Sequence, residues 1–172
     1  LLQQEYTKKV PKLPMHTAVA MTQGQIGYML QQGRQNEIKK LKKDRKIVSL
    51  ITQTVVAKKK SKLVQSFPSK PIGPYFTELE VKKLRKNTNQ IFRKVKPAGV
   101  KMWRRVVPSP KPLEIVEVDI IKQFAEDSCL LIAGGGGGIP VIKNGSGLVG
   151  VNCVIDKDHS ASLLAKSIKA SV

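Results

Sequence analysis

The spacing of apolar positions changes several times along the chain and predicts alternating helices and strands. Between residues 17 and 43 the apolar side chains recur at near-helical spacing, which predicts a helix. Residues 47–56 form a β-branched run and predict one strand that is buried on both faces. Thr77-Glu78-Leu79-Glu80 has the pattern of a capping box, so a second helix is expected over 78–86.

Proline and glycine interrupt this alternation in the middle of the chain. Three prolines and a glycine in residues 67–75 predict a rigid exposed loop without regular structure. Residues 87–112 are expected to form short strands and loops. Apolar residues from Ile115 to Phe124 return to helical spacing, and residues 129–133 read as a short buried strand.

The last third of the chain predicts a turn, a strand and a helix in that order. Asn144-Gly145 is a turn dipeptide, residues 148–155 predict a strand, and Asp156-Lys157-Asp158 opens a final helix. Strands that alternate with helices indicate an α/β layered domain with a mainly parallel sheet.

Charge and composition narrow the function classes. The 172 residues carry 31 Lys and Arg against 12 Asp and Glu, a net charge of +19, which favours polyanionic partners or phosphorylated substrates. Lysine outnumbers arginine, and no aromatics interleave with the basic runs, so a nucleic-acid partner is disfavoured. The sequence shows neither a signal peptide nor an apolar run long enough to span a membrane. The absence of an initiator Met favours a chain that begins further upstream.

Cysteine and histidine positions argue against a metal site. Cys129 and Cys153 lie in apolar runs without a CxxC pattern, so both are expected to be buried and reduced. His16 and His159 are far apart in sequence, which argues against zinc.

The run Gly134–Gly138 is the first candidate for chemistry. It follows an apolar strand and precedes Ile139-Pro140-Val141, a context that favours a backbone anion cradle over a flexible linker. No Gly-Lys-Ser or Gly-Lys-Thr follows it, so it is not a Walker loop.

The second candidates for chemistry are lysines that lie at a predicted strand end or next to prolines. Lys157 lies at a strand-to-helix junction, where parallel sheets place ligands. Two interpretations of Lys157 are equally consistent with its spacing. In one it binds phosphate; in the other it is a solvated lysine and Asp158 is an ordinary helix N-cap. Lys70 precedes Pro71, and Lys111 lies between prolines; without further information each is more often a surface lysine.

Five segments in order resemble the carbamate kinases, and together they cover the chain from about Met15 onward. They are Met21–Gln32, Pro68–Tyr75, Arg104–Pro112, Ile132–Val141 and Val154–Asp158, the last of which is similar to the family's Val-Ile-Asp-Lys-Asp motif.

The resemblance implies the amino-acid-kinase fold, a three-layer αβα sandwich with a mainly parallel sheet. It divides the chain into 1–66 (kinase core), 67–107 (a protruding subdomain) and 108–172 (core with the glycine run). It implies reversible phosphoryl transfer between carbamoyl phosphate and ADP, giving ATP and carbamate, as in arginine catabolism. It also implies Mg²⁺, a homodimer and a cytoplasmic location, with no membrane partner.

The same resemblance assigns roles to particular residues. Lys157, Asp156 and Lys70 would be catalytic, and Asp158 with Lys157 would bind nucleotide. Substrate phosphate would lie on Gly135, Gly136, Gly137 and Gly138, and no residue is assigned to a metal.

Departures from the family pattern leave a second hypothesis open. The family's Gly-Gly-Asn loop, His-Gly-Asn-Gly-Pro segment and Gly-Ser-Met-x-Pro-Lys segment have no counterpart in this sequence, so we expect a carbamate kinase cut at both ends. His159 and one extra glycine in the run also depart from the family. The alternative is a catalytically incomplete pseudo-enzyme that binds polyanions through its positive charge.

Overall fold

The computed structural model describes residues 13–58, 68–127 and 129–170, which form an α/β structure. The elements in chain order are α1 (Met15–Lys40), β1 (Ile47–Ser49), β2 (Gln53–Val56), β3 (Lys70–Phe76), α2 (Glu78–Asn87), β4 (Ile91–Lys94), β5 (Trp103–Val107), β6 (Pro112–Ile115), α3 (Val118–Glu126), β7 (Leu130–Ile132), β8 (Ile139–Asn144), β9 (Gly147–Gly150) and α4 (Lys157–Ser167).

The described strands form mixed sheets, which confirms the α/β class but not a mainly parallel sheet. Strand β1 pairs in parallel with β7. A four-stranded sheet has the order β6-β2-β8-β9, in which only the β2–β8 pairing is parallel. A separate three-stranded sheet, β3-β5-β4, is antiparallel throughout. Two of the four antiparallel pairings, β4–β5 and β8–β9, join strands that are consecutive in the chain, since a short connection can join only antiparallel neighbours.

The run 47–56 forms two strands where one was predicted. The backbone changes partner inside the run: the Leu50 N–H donates to the carbonyl of Ile132 at the end of β7, whereas the Thr52 carbonyl accepts from the Ile139 N–H at the start of β8. Alternation of residue types along one strand carries no information about this exchange. The break is therefore a tertiary feature, and it places Thr52 between the two parallel pairings.

The predicted irregular loop at 67–75 is wrong from Lys70 onward, because these residues form strand β3. Among the described strands it pairs only with β5, which places it at the edge of its sheet. Edge strands tolerate Pro71 and Pro74, since a missing N–H can face away from the partner strand. The register shifts between Ile72 and Phe76, and Gly73 has a φ of 67°. Phe67 lies outside the described residues.

Helix α2 packs on the three-stranded sheet and begins where the sequence predicts. The Thr77 side chain accepts from the Glu80 N–H at 3.2 Å, and the Thr77 N–H donates to the Glu80 carboxylate at 2.7 Å, which confirms the capping box. These bonds to Thr77 lower the pKa of Glu80. Beneath the helix, Phe76 and Phe92 meet edge to face with ring centroids 5.5 Å apart.

Truncation of Val81 should destabilise this part of the protein. Val81 is 1% exposed and contacts the Phe76 and Phe92 cluster, so Val81→Ala is expected to lower the free energy of unfolding by about 2 kcal/mol. Leu79, two residues earlier in the same helix, is 72% exposed. Leu79→Ala should therefore change the free energy of unfolding by less than about 0.5 kcal/mol. Urea unfolding of both variants measures the difference, and equal losses would contradict this packing.

The remaining differences concern element ends and one cysteine. The strand predicted over 148–155 is limited to β9, and Ile115 belongs to β6 rather than to the following helix. Cys153 is buried, which raises the pKa of its thiol to about 11, but Cys129 is only half-buried and its thiol donates to the Lys46 carbonyl at 3.5 Å. Within the described ranges, no helix has the length and apolarity needed to cross a membrane.

Candidate active site

The glycine run forms a tight turn between β7 and β8. Gly134, Gly135, Gly136 and Gly138 all have positive φ, between 49° and 112°, which side chains with a Cβ rarely adopt. The Gly138 N–H donates to the Gly134 carbonyl at 3.1 Å and closes the turn. The run is therefore an ordered loop whose conformation depends on its glycines.

Two elements hold this loop from outside. The Gly134 N–H donates to the Thr52 hydroxyl at 3.1 Å, and the Ser160 hydroxyl, in the first turn of α4, donates to the Gly137 carbonyl at 2.9 Å. Thr52 and Ser160 are 1% and 4% exposed. The loop is thus anchored at its start to the β1–β2 break and near its end to α4.

The donors in the middle of the loop have no partner within the described part of the chain. The N–H groups of Gly135, Gly136 and Gly137 donate to no other described residue. Gly135 and Gly136 line a cavity of about 800 Å³ that lies beside α1, β1 and β7, a size that holds a nucleotide-scale ligand. Consecutive free N–H groups form a concave donor surface that binds anions.

Helix α4 brings two predicted site residues together next to the loop. Asp156 is its N-cap, with one carboxylate oxygen accepting from the Asp158 N–H at 2.9 Å. The other oxygen accepts from Lys70 Nζ at 2.7 Å, across 86 positions of sequence. This contact connects β3 of the three-stranded sheet to the start of α4.

Lys157 and Asp158 are more exposed than this pair. Lys157 Nζ donates to Asp158 at 2.7 Å, while 73% and 79% of the two side chains are exposed. The hydrogen bond and charge of Asp158 raise the pKa of Lys157. Lys157 is therefore a solvated ammonium that has room to change its partner. The N-cap role, which one of the two sequence interpretations gave to Asp158, belongs to Asp156.

The pKa of Asp156 supplies a test of the Lys70 contact. The hydrogen bond from Lys70 is the largest of the causes that lower this pKa from 3.8 to about 2. A lowered pKa in the folded state means that the contact stabilises the fold above about pH 4 and is lost as the pH falls towards 2. We expect Lys70→Met to raise the Asp156 pKa towards its ordinary value.

The matched control for that titration is Lys157→Met, which removes a lysine bonded to Asp158 instead. Asp156 should then keep a pKa close to that of the unmodified chain. Carboxyl carbon chemical shifts followed against pH in both variants provide the measurement. An Asp156 pKa that does not respond to loss of Lys70 would contradict the contact.

The sequence analysis did not identify Gln23, Thr52 and Ser160 as site residues. Only Gln23 could have been found from the sequence pattern. Gln23 shares the buried stripe of α1 with Ala18 and Gly27, an unusual place for a polar side chain. Thr52 and Ser160 carried no such signal, because their importance depends on tertiary contacts with the loop.

The donor set fits Mg²⁺ only as an ion that also binds phosphate oxygens. No group of three or more His, Cys, Asp or Glu side chains suited to a metal occurs within the described part of the chain. Asp156 and Asp158 both bond to lysines. Mg²⁺ commonly uses one or two carboxylates together with substrate phosphates, so these residues fit a phosphate-bound ion rather than a protein cage.

Comparison with known proteins identifies the family. No family model matches the chain. The carbamate kinase of Pyrococcus horikoshii is 42% identical over 163 residues, which cover 95% of this chain and 50% of the relative. Carbamate kinase 3 of Staphylococcus aureus is 41% identical, with 95% and 51% covered.

Solved structures agree with the sequence comparison. The Giardia lamblia carbamate kinase bound to AMP-PNP has a TM-score of 0.81 and 41% identity, covering 97% of this chain and 52% of the other. The form bound to citric acid has a TM-score of 0.82 and 40% identity, with 96% and 52% covered.

The described chain thus has an α/β fold of the phosphotransferase class represented by these kinases. The chain belongs to the carbamate kinase family. It spans about half the length of the curated relatives it matches. Of the two hypotheses raised by the sequence, these similarities favour the kinase over the polyanion-binding pseudo-enzyme.

Proposed function

We propose that this chain supplies half of a carbamate kinase site, which transfers a phosphoryl group reversibly between carbamoyl phosphate and ADP to give ATP and carbamate. The observation that carries the proposal is the loop with three unused N–H donors, joined through Ser160 to the helix that begins at Asp156 and Lys157. Phosphoryl transfer needs mainly positioning and charge neutralisation, and N–H donors with lysines provide both.

Each proposed role follows from the position of the residue. The N–H groups of Gly135, Gly136 and Gly137 donate to phosphate oxygens. Gly138 sets the shape of the loop instead, because its own N–H donates to the Gly134 carbonyl. Lys157, at the exposed start of α4, turns from Asp158 to the transferring phosphoryl group. Lys70 adds a second positive charge, and Asp156 orients it. Asp158 orients Lys157 and contacts nucleotide.

Further parts of the proposal concern the ion, the domains and the assembly. Mg²⁺, when bound, would neutralise charge on the phosphates. Residues 67–107 form the protruding subdomain, which brings Lys70 to the site, between core segments 1–66 and 108–172. The complete enzyme acts as a cytoplasmic homodimer on small substrates.

A chimeric enzyme tests the function directly. This chain replaces the matching half of the Pyrococcus horikoshii carbamate kinase, with which it shares 42% identity. We expect the chimera to form ATP from ADP and carbamoyl phosphate in a coupled assay, because its own half supplies the loop and both lysines.

Controls separate catalysis from background. The chimera without ADP should form no ATP, and the unmodified Pyrococcus enzyme sets the positive level. A chimera that shows a cooperative unfolding transition yet forms no ATP would contradict the proposed function. AMP-PNP titration of the 172-residue chain itself measures nucleotide binding independently.

A further inference from the structure

Gln23 is a buried polar side chain that the proposed chemistry does not use. It is 5% exposed and lies on α1, a helix to which the proposed chemistry assigns no residue. Both ends of its amide are hydrogen bonded to one residue: Nε2 donates to the Thr52 carbonyl at 3.0 Å, and Oε1 accepts from the Thr52 N–H at 2.9 Å. Gln23 therefore replaces a strand partner at the break between β1 and β2.

Thr52 connects this amide to the glycine loop. Its hydroxyl accepts from the Gly134 N–H, and its carbonyl also accepts from the Ile139 N–H at 2.9 Å. These two residues lie immediately before and after the stretch 135–138. Thr52 thus holds both ends of the loop, and Gln23 holds both backbone polar groups of Thr52.

The stem of Gln23 also limits the loop sterically. A Cβ built on Gly135 would come within 3.1 Å of Gln23 Cβ and 3.2 Å of its Cα. This close approach keeps the backbone at Gly135 against α1, on the wall of the large cavity that both residues line. Gln23 therefore acts on the loop through hydrogen bonds to Thr52 and through direct contact with Gly135.

We propose that Gln23 and Thr52 are positioning residues that hold the loop so that the N–H groups of Gly135, Gly136 and Gly137 face an anionic oxygen. The anion-binding part rests on the proposed function, whereas the positioning part concerns the free protein. Without the Gln23 amide, the buried Thr52 N–H loses its partner and the Thr52 carbonyl keeps only the bond from Ile139, and buried polar groups rarely stay unpaired. The strand break then shifts to recover partners, and the loop shifts with it.

Glycine-selective ¹⁵N labelling of the chain tests both parts. The chain contains 13 glycines, five of them in the loop, so its amide spectrum is simple enough to assign. Gln23→Met keeps the length of the side chain and removes both hydrogen bonds. In the free protein, we expect the signals of Gly134 to Gly138 to move or broaden, while that of Gly145 in the distant β8–β9 turn stays in place.

Matched variants distinguish positioning from general damage. Gln25→Met makes the same chemical change at an exposed position of α1 and should leave the loop signals unchanged. Thr52→Val removes the acceptor for Gly134 with little change in shape, and Thr52→Ser restores it. We expect the loop signals to move in Thr52→Val and to return in Thr52→Ser. If Gln23→Met does not fold, the Thr52 pair decides the proposal alone.

Titration with inorganic phosphate and with AMP-PNP then tests whether the loop binds anions. Gly135, Gly136 and Gly137 should shift on binding, with affinity at least about tenfold weaker in Thr52→Val than in Thr52→Ser. Loop signals that are the same in Gln23→Met, Thr52→Val and the unmodified chain would overturn the positioning proposal. Loop signals that move in the variants but ignore both anions in the unmodified chain would instead contradict the proposed phosphate site.

Discussion

Gly138→Ala is expected to lower the free energy of unfolding by about 2–5 kcal/mol. Gly138 has a φ of 81°, where a side chain costs about 1–2 kcal/mol. A Cβ at this position would also overlap the Thr54 hydroxyl, and Thr54 is 1% exposed within the four-stranded sheet. Overpacking in a buried position adds about 1–3 kcal/mol, because neighbouring side chains and backbone must shift to admit the extra methyl group.

Gly136→Ala is the matched control for that substitution. Gly136 has an even larger positive φ of 112°, but no heavy atom lies within 4 Å of a Cβ built on it. Gly136→Ala should therefore lower the free energy of unfolding only by the cost of placing a side chain at positive φ, about 1–2 kcal/mol. Urea unfolding of both variants gives the comparison. Equal losses would mean that the contact with Thr54 relaxes freely and that backbone conformation alone governs the loop.

The features that the sequence predicted correctly depend on neighbours close in the chain. The capping box uses Thr77 and Glu80, three positions apart, and its hydrogen bonds form locally. The hairpin at Asn144-Gly145 needs only a turn with positive φ, which Gly145 supplies. The ordered glycine run was predicted from the apolar strands on its two sides. Local patterns carry enough information for such elements.

The features that sequence patterns did not predict depend on partners far along the chain. The break at 50–52 exists because β1 and β2 pair with different strands, β7 and β8. Strand β3 tolerates its prolines only because it lies at a sheet edge. In both cases the residue types are compatible with more than one local structure. Position within the sheet decides between them.

In the candidate site, too, some residues were predicted from local sequence, whereas others were recognisable only from the fold. The glycines and Asp156-Lys157-Asp158 were visible as motifs, and the role of Lys70 came from family resemblance. That Lys70 reaches Asp156 at 2.7 Å required the fold, since the two residues are 86 positions apart. Gln23 and Thr52 belong to no chemical motif, because an amide and a hydroxyl that support a loop resemble many others in sequence.

Lys157→Ala is expected to reduce turnover by a hundredfold or more, on the order of the loss of one preorganised donor to a developing charge. In the chimeric enzyme described above, the ammonium of Lys157 neutralises charge on the phosphoryl group as it moves between oxygens. Since that charge is redistributed mainly in the transition state, kcat should fall far more than KM rises. Steady-state kinetics with ADP and carbamoyl phosphate measure both constants.

Lys166→Ala removes another exposed positive charge, at the other end of α4, and provides the control. Lys166 lies in the last turn of the helix, whereas Lys157 occupies its first position beside the N-cap Asp156. Both variants lower the net charge by one, so a purely electrostatic attraction of anionic substrates would weaken equally in each, mainly through KM. A kcat that falls only in Lys157→Ala assigns the effect to position. Unchanged turnover in Lys157→Ala would remove this residue from the catalytic group and leave Lys70, which contacts Asp156, as the remaining proposed catalytic lysine.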